Sequence, residues 1–343
     1  MRPLLHPTLV NGRSGDPALY IETQFANRAI LFDLGDIAAL SPRKILHLDH
    51  VFVSHVHIDH FYGFDRLLRL LVGREKEVAL YGPGGFIDHV HHRLQAYRWN
   101  LADGYACDLI FTVTEIISAA ESRMARFRLK NAFALEPAGS GAIADGVICT
   151  QPAFRVATAI LEHHRAPCLG FAIEEVAHIN VWTSRLADLG LPVGPWLRDL
   201  KEAVTAGRPG DHLLRVSTGR NSSEDRDVPL SALSGLVTVT NGQKIAYVTD
   251  IADTAANRAA AVNLVRNADM LFIEAPFVQA DAVLAAERSH LTTVAAGAIA
   301  RDARVRRVEP FHFSPRYAGQ EARLLNEVNA AFEGRDQEKA EPS

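Results

Sequence analysis

The strongest constraint in the sequence is the run His55-Val56-His57-Ile58-Asp59-His60. Four side chains of metal-ligand type fall within six residues, directly after the apolar stretch His50-Val51-Phe52-Val53-Ser54. An extended chain repeats its faces every two residues, so His55 and His57 project to one side and can share one cation. Asp59 and His60 fall where the chain turns into a helical pattern over residues 61–72, and can reach a second cation. Imidazole and carboxylate donors suit zinc, and also manganese or iron. The alternative, a histidine-rich surface turn, fits poorly with ligands at the C-terminal end of an apolar strand.

The rest of the chain must fold so that other ligands meet this run. Strand patterns occur at residues 19–23, 28–33, 50–54, 78–81, 107–117, 123–130, 154–161 and 168–174. Helical spacing places Phe64, Leu67, Leu68 and Leu71 on one face, and Ile87, Val90, Leu94 and Tyr97 on another. Residues 175–220 are broken by Gly190, Pro192, Gly194, Pro195, Gly207, Pro209 and Gly210, the pattern of an inserted arm with short helices. Strand–helix–strand order then resumes: strands at 244–250, 270–274 and 305–310, helices at 254–266, 292–300 and 319–332. This predicts one α/β domain over residues 1–332, two β-sheets packed face to face with helices outside, followed by a disordered tail at 333–343.

Composition narrows the class. The 343 residues are 48% hydrophobic and 22% charged, a soluble globular balance, and no stretch of about 18 apolar residues is free of charge. The N-terminal residues lack the apolar core of a signal peptide. Cys107, Cys149 and Cys168 are few and scattered, which argues for a reducing cytoplasm over a disulfide framework. The net charge of −4 offers no general basic excess for nucleic acid. Local basic faces remain available: Arg126, Arg128 and Lys130 alternate on a strand, and Arg301, Arg304, Arg306 and Arg307 cluster.

The histidine run resembles the signature of the metallo-β-lactamase superfamily, whose αββα sandwich matches the expected layers. The longer stretch from Val51 through His60-Phe61-Tyr62-Gly63 is similar to the ribonuclease Z family of tRNA 3′-processing endonucleases. So are Ser289-His290-Leu291-Thr292-Thr293 and Phe311-His312-Phe313-Ser314-Pro315-Arg316-Tyr317. The resemblance implies two divalent cations, with zinc first and manganese or iron as alternatives. It implies His55, His57 and a third histidine on one cation, Asp59, His60 and His312 on the other, and Asp250 between them. The third histidine lies in Glu162-His163-His164-Arg165, and spacing to Gly170 favours His164 over His163. Asp33 is placed behind the ligands as their support. The chain departs from the family pattern at Asn11-Gly12-Arg13-Ser14-Gly15, which replaces a glycine-rich turn. Ile58 stands where a small residue is usual, and Asp36 where glutamate is common.

The implied reaction is hydrolysis of an RNA phosphodiester by metal-activated water at the 3′ trailer of tRNA precursors. Asp59 would orient the water and take its proton. His290 would be the general acid, with Glu274 as its partner. Gly194, Pro195 and Lys201 fall in a segment similar to the family's tRNA-gripping arm, and the family assembles as homodimers. The arm itself is nearly neutral: six basic residues face five acidic ones between residues 175 and 220. A small-molecule hydrolase (a phosphodiesterase, sulfatase or lactonase) that uses the arm as a lid is therefore the alternative. Asp88-His89-Val90-His91-His92 is equally rich in ligand types, but lies in a helical pattern and reads as a solvated helix face.

Overall fold

Runs of β-branched and aromatic residues of the predicted kind become strands of two mixed sheets. The computed structural model describes residues 5–23, 28–176, 178–216, 225–240 and 242–335; most of the tail expected at 333–343 lies outside the described residues. The chain divides into two compact units, residues 175–242 forming the smaller one.

In the larger unit the first sheet contains eight strands in sequence order: β1 (Leu5–Leu9), β2 (Leu19–Thr23), β3 (Ala29–Phe32), β4 (Leu48–Phe52), β5 (Lys76–Pro83), β6 (Leu109–Ile116), β7 (Glu121–Arg128) and β8 (Leu135–Ala142). β3 to β6 run parallel, and the flanking pairs are antiparallel. The second sheet comprises β9 (Val147–Thr150), β10 (Phe154–His163), β11 (Ala166–Glu175), β16 (Lys244–Val248), β17 (Met270–Glu274) and β18 (Val308–Phe311), in the order β18-β17-β16-β11-β10-β9. β16, β17 and β18 are parallel.

Three buried cores define four layers, as expected for the αββα sandwich. Between the sheets, Phe32, Phe52, Phe171, Tyr247 and Phe311 interdigitate, with the Phe32 ring stacked 5.4 Å from Phe171 and 5.7 Å from Tyr247. Outside the first sheet, helices Phe64–Leu71 and Phe86–Gln95 bury Phe64, Leu67, Leu71, Phe86, Val90 and Leu94. Outside the second, helices Ala255–Val265, Thr293–Asp302 and Glu321–Glu333 bury Ala261, Val265, Ile299 and Val328. The helical pattern at residues 61–72 is interrupted at Tyr62-Gly63, giving a short turn Ile58–Phe61 before Phe64–Leu71. Tyr97 lies beyond its helix and is exposed.

The smaller unit has its own core of Leu186, Trp196, Leu200, Leu214, Val216, Leu230 and Leu233. Two antiparallel pairs frame it: β12 (His178–Val181) with β15 (Val237–Thr240), and β13 (Leu213–Val216) with β14 (Arg226–Pro229). The unit therefore ends at Gly242, beyond the arm boundary expected near residue 220, because each pair closes through a partner strand past that point. Among the described residues, no helix is long and apolar enough to cross a membrane.

Candidate metal centre

Most of the centre comes from five segments of the larger unit, each at or just past the C-terminal end of a strand, and His163 adds the end of β10. This is where parallel strands of α/β sheets leave room for ligands. Asp33 follows β3, Ser54 to His60 follow β4, Asp250 follows β16, Glu274 ends β17, and His312 follows β18. Three of these residues turn the chain sharply: Asp33, Asp250 and His312 have φ of 56°, 47° and 59°. Such left-handed positions are uncommon without glycine and cost on the order of 1–3 kcal/mol each, a strain the surrounding packing must hold.

The first cluster comprises His55, His57, His163 and Asp250; the second comprises Asp59, His60 and His312. Within each, ligand-type atoms lie within 4.8 Å of one another. Asp250 serves both: its Oδ2 lies 3.6 Å from His55 Nε2, 3.7 Å from His163 Nε2 and 3.4 Å from His60 Nε2, and its Oδ1 lies 3.2 Å from His312 Nδ1. Asp59 Oδ2 stands 3.4 Å from both His60 Nε2 and His312 Nε2.

The third histidine is His163, which corrects the expectation of His164. His164 and Arg165 have φ of 47° and 63° and form the two-residue turn between β10 and β11. That conformation is a tight hairpin turn, and it sends the His164 side chain into solvent. His163, the last residue of β10, is buried, and its Nδ1 lies 2.9 Å from the Ser289 carbonyl oxygen.

Asp33 lies behind the second cluster, fully buried. Its Oδ1 accepts the Ser54 amide at 2.6 Å, and its Oδ2 accepts the Ser54 and Tyr247 hydroxyls at 2.8 Å each. Oδ2 also lies 2.8 Å from His60 Nδ1. A carboxylate cannot donate, so Nδ1 carries the hydrogen and the bare Nε2 faces the cluster. Ser54 and Tyr247 were not singled out from sequence; only their adjacency to His55 and to Thr249-Asp250 hinted at them. Two glycines let the ligand turn sit close to Asp33. A Cβ on Gly35 would come 2.4 Å from the Asp59 carbonyl oxygen, and one on Gly63 would come 2.2 Å from the Gly35 carbonyl oxygen.

His290 and Glu274 meet at the edge of the second cluster, His290 Nδ1 lying 2.8 Å from Glu274 Oε2. The other Glu274 oxygen accepts the amides of Ile251 and Leu291 at 3.1 and 3.0 Å, so one buried carboxylate orients the histidine and ties down the Asp250 loop. Gly194, Pro195 and Lys201 lie in the smaller unit, where Pro195 precedes helix Trp196–Thr205 and Lys201 is an exposed residue on it.

The charges of the centre call for cations. Burial opposes ionisation of Asp250, yet His312 and His60 hold its carboxyl well below the usual range. Burial likewise opposes ionisation of Asp59, and hydrogen bonds from His312 and His60 outweigh it. Burial, and then the His60 charge, push His55 down to about 2. Against its own burial, His60 is pushed up by Asp250 and Asp33, and His312 up to about 10 by Asp250 and Asp59. Buried carboxylates thus demand positive charge at nitrogens that face one another, a demand divalent cations meet. His55 Nε2, His60 Nε2 and His312 Nδ1 are buried without a hydrogen-bond partner, as ligand atoms would be. The nitrogen and carboxylate donors fit such ions.

A profile described as the beta-lactamase superfamily domain matches residues 199–313. A curated protein from Deinococcus radiodurans named Ribonuclease Z is 30% identical over 335 residues, covering 96% of each chain. One of the same name from Crocosphaera subtropica is 29% identical, over 88% of this chain and 83% of its own. The fold is similar to the crystal structure of human tRNase Z, short form, with a TM-score of 0.52 and 17% identity over 92% and 93% of the two chains. With the identity to the Deinococcus protein running almost end to end, the chain belongs to the ribonuclease Z family of the metallo-β-lactamase superfamily.

Proposed function

We propose that the chain is a metal-dependent endoribonuclease that removes 3′ trailers from tRNA precursors. The observation that carries this reading is the convergence of His55, His57, His163, Asp59, His60, His312 and Asp250 on two adjoining clusters, with the His290–Glu274 pair beside them. Two cations, zinc by preference, would supply hydroxide at neutral pH and neutralise charge on the phosphodiester oxygens. Asp59, held ionised between His60 and His312, orients the attacking water and accepts its proton. His290 protonates the departing oxygen. Its Nδ1–H is fixed on Glu274, which leaves Nε2 for the transferable proton, and although burial lowers its proton affinity, the Glu274 charge raises it above the ordinary value. The arm, with Gly194, Pro195 and Lys201, would hold the body of the tRNA. A cytoplasmic homodimer, each arm serving its partner's site, completes the reading.

One observation favours the second reading, a small-molecule hydrolase. Residues 175–242 carry seven Arg or Lys against eight Asp or Glu, a weak footprint for phosphates. Incubating the protein with Zn²⁺ or Mn²⁺ and a trailer-bearing tRNA precursor over a range of salt separates the two. Cleavage just after the discriminator base, weakening as salt rises, supports the RNA reading. An inert precursor beside turnover of bis(p-nitrophenyl) phosphate favours the small-molecule one.

A further inference from the structure

The turn that carries Asp59 and His60 exposes two large apolar side chains, Ile58 at 79% and Tyr62 at 54%. Burying neither is unusual for a turn packed this tightly, and clustered exposed apolar groups mark contact surfaces. They open onto a cleft of 420 Å³, walled on one side by His57 of the first cluster and on the other by His89, His92 and Arg93. Those three residues lie at i, i+3 and i+4 on helix Phe86–Gln95, opposite the Phe86, Ile87, Val90 and Leu94 stripe that enters the core. The histidine-rich helix set aside in the sequence as a solvated face therefore faces the metal centre across a cleft. Arg93 places one guanidinium nitrogen 2.9 Å from Asp65 Oδ2, and its buried Nε has no hydrogen-bond partner.

We infer that this cleft is a subsite for one unpaired nucleotide of the substrate strand, adjoining the phosphodiester cut at the metal centre. The inference rests on the RNA reading above. An unpaired base presents a flat π-face, which the Tyr62 ring and the Ile58 side chain receive without regard to sequence. The attached phosphate meets the N–H donors of His89, His92 and Arg93, and Asp65 tempers the Arg93 charge so that grip on the strand stays weak enough for product to leave. His57, shared by cluster and cleft, sets the nucleotide immediately beside the reacting group. Base-paired RNA keeps its bases stacked inward and cannot offer that face, so the cleft selects a single-stranded segment.

The test compares wild type, Tyr62→Ala and the double variant H89A/H92A on a trailer-bearing tRNA precursor, with bound metal measured in each. Loss of a stacking platform or of the phosphate donors should raise KM on the order of 10-fold with kcat unchanged. Unchanged KM in both variants overturns the subsite, and so does loss of metal from H89A/H92A, which would make those histidines ligands. If the wild-type protein leaves the precursor uncut at every salt concentration, the RNA reading itself falls.

Discussion

Replacing His163 with alanine tests the centre at its least obvious ligand. The Ser289 carbonyl oxygen 2.9 Å from Nδ1 can only accept, so that nitrogen carries the ring hydrogen. The Nε2 lone pair is then aimed at the cluster, 3.7 Å from Asp250 Oδ2. Removing a hydrogen-bond partner one shell behind a ligand already weakens metal binding about 10–100-fold. Removing the ligand itself should exceed that range, which at 100-fold is about 2.7 kcal/mol. His164 sits one residue away, exposed, its Nδ1 3.4 Å from the Ser289 hydroxyl and its ring edge-on to that of His163. His164→Ala should therefore bind Zn²⁺ as wild type does. Competition against a chromophoric chelator gives both affinities directly. A His164→Ala variant that loses zinc while His163→Ala keeps it would refute the assignment and the turn geometry behind it.

Three further outcomes follow from the same geometry. Asp33→Asn should weaken binding at the second cluster about 10–100-fold, since the amide no longer holds His60 Nδ1–H with a full charge; wild-type zinc affinity in that variant would contradict the role given to Asp33. Gly35→Ala should shift the Asp59 carbonyl and lower metal content, and a fully loaded, equally stable variant would show that the close approach is not required. His50 is stacked against Phe52 and Tyr81 and meets Phe154 edge-on; burial lowers its pKa, with Arg28 and Lys76 adding to the effect and Asp49 opposing it. The unfolded chain takes up this proton near pH 6.5 while the folded one resists, so stability is full above that pH and falls as pH drops below it. His50→Phe should show a smaller loss of urea stability between pH 7 and pH 5 than wild type; equal losses would exclude His50 as the source.

How legible the centre was depended on how local each ligand is. His55, His57, Asp59 and His60 could be read because strand alternation and a turn suffice to place them. His163 could not, and β10 shows why. Counting inward positions by twos from the buried Phe154 and Val156 arrives at residue 164. A register shift between Val156 and Ala157 reverses the phase, and Leu161 and His163 point inward instead. A bulge leaves no composition signal, so neither spacing nor periodicity could reveal it. β8 escaped for a different reason: its sequence Leu-Glu-Pro-Ala-Gly-Ser-Gly-Ala, largely exposed at the sheet edge, has none of the apolar alternation by which strands are recognised.

Asp250 and His312 mark the limit of what a single sequence discloses. Each is a polar residue just past a buried strand, and only the resemblance of its segment to the family, not any local pattern, sets it apart from an ordinary turn. Their meaning comes from β16 and β18 lying either side of β17 in one parallel sheet, which brings three strand ends together. The same sheet places Glu274 between them, where it accepts the Ile251 amide next to Asp250 and holds His290. A carboxylate with no exposure survives there because its oxygens are met by two amides and an imidazole. The proposed proton donor, His290, and the proposed shared ligand, Asp250, are thus held by one side chain. Disturbing Glu274 should therefore impair metal binding and proton transfer together, whereas disturbing His290 should impair proton transfer alone.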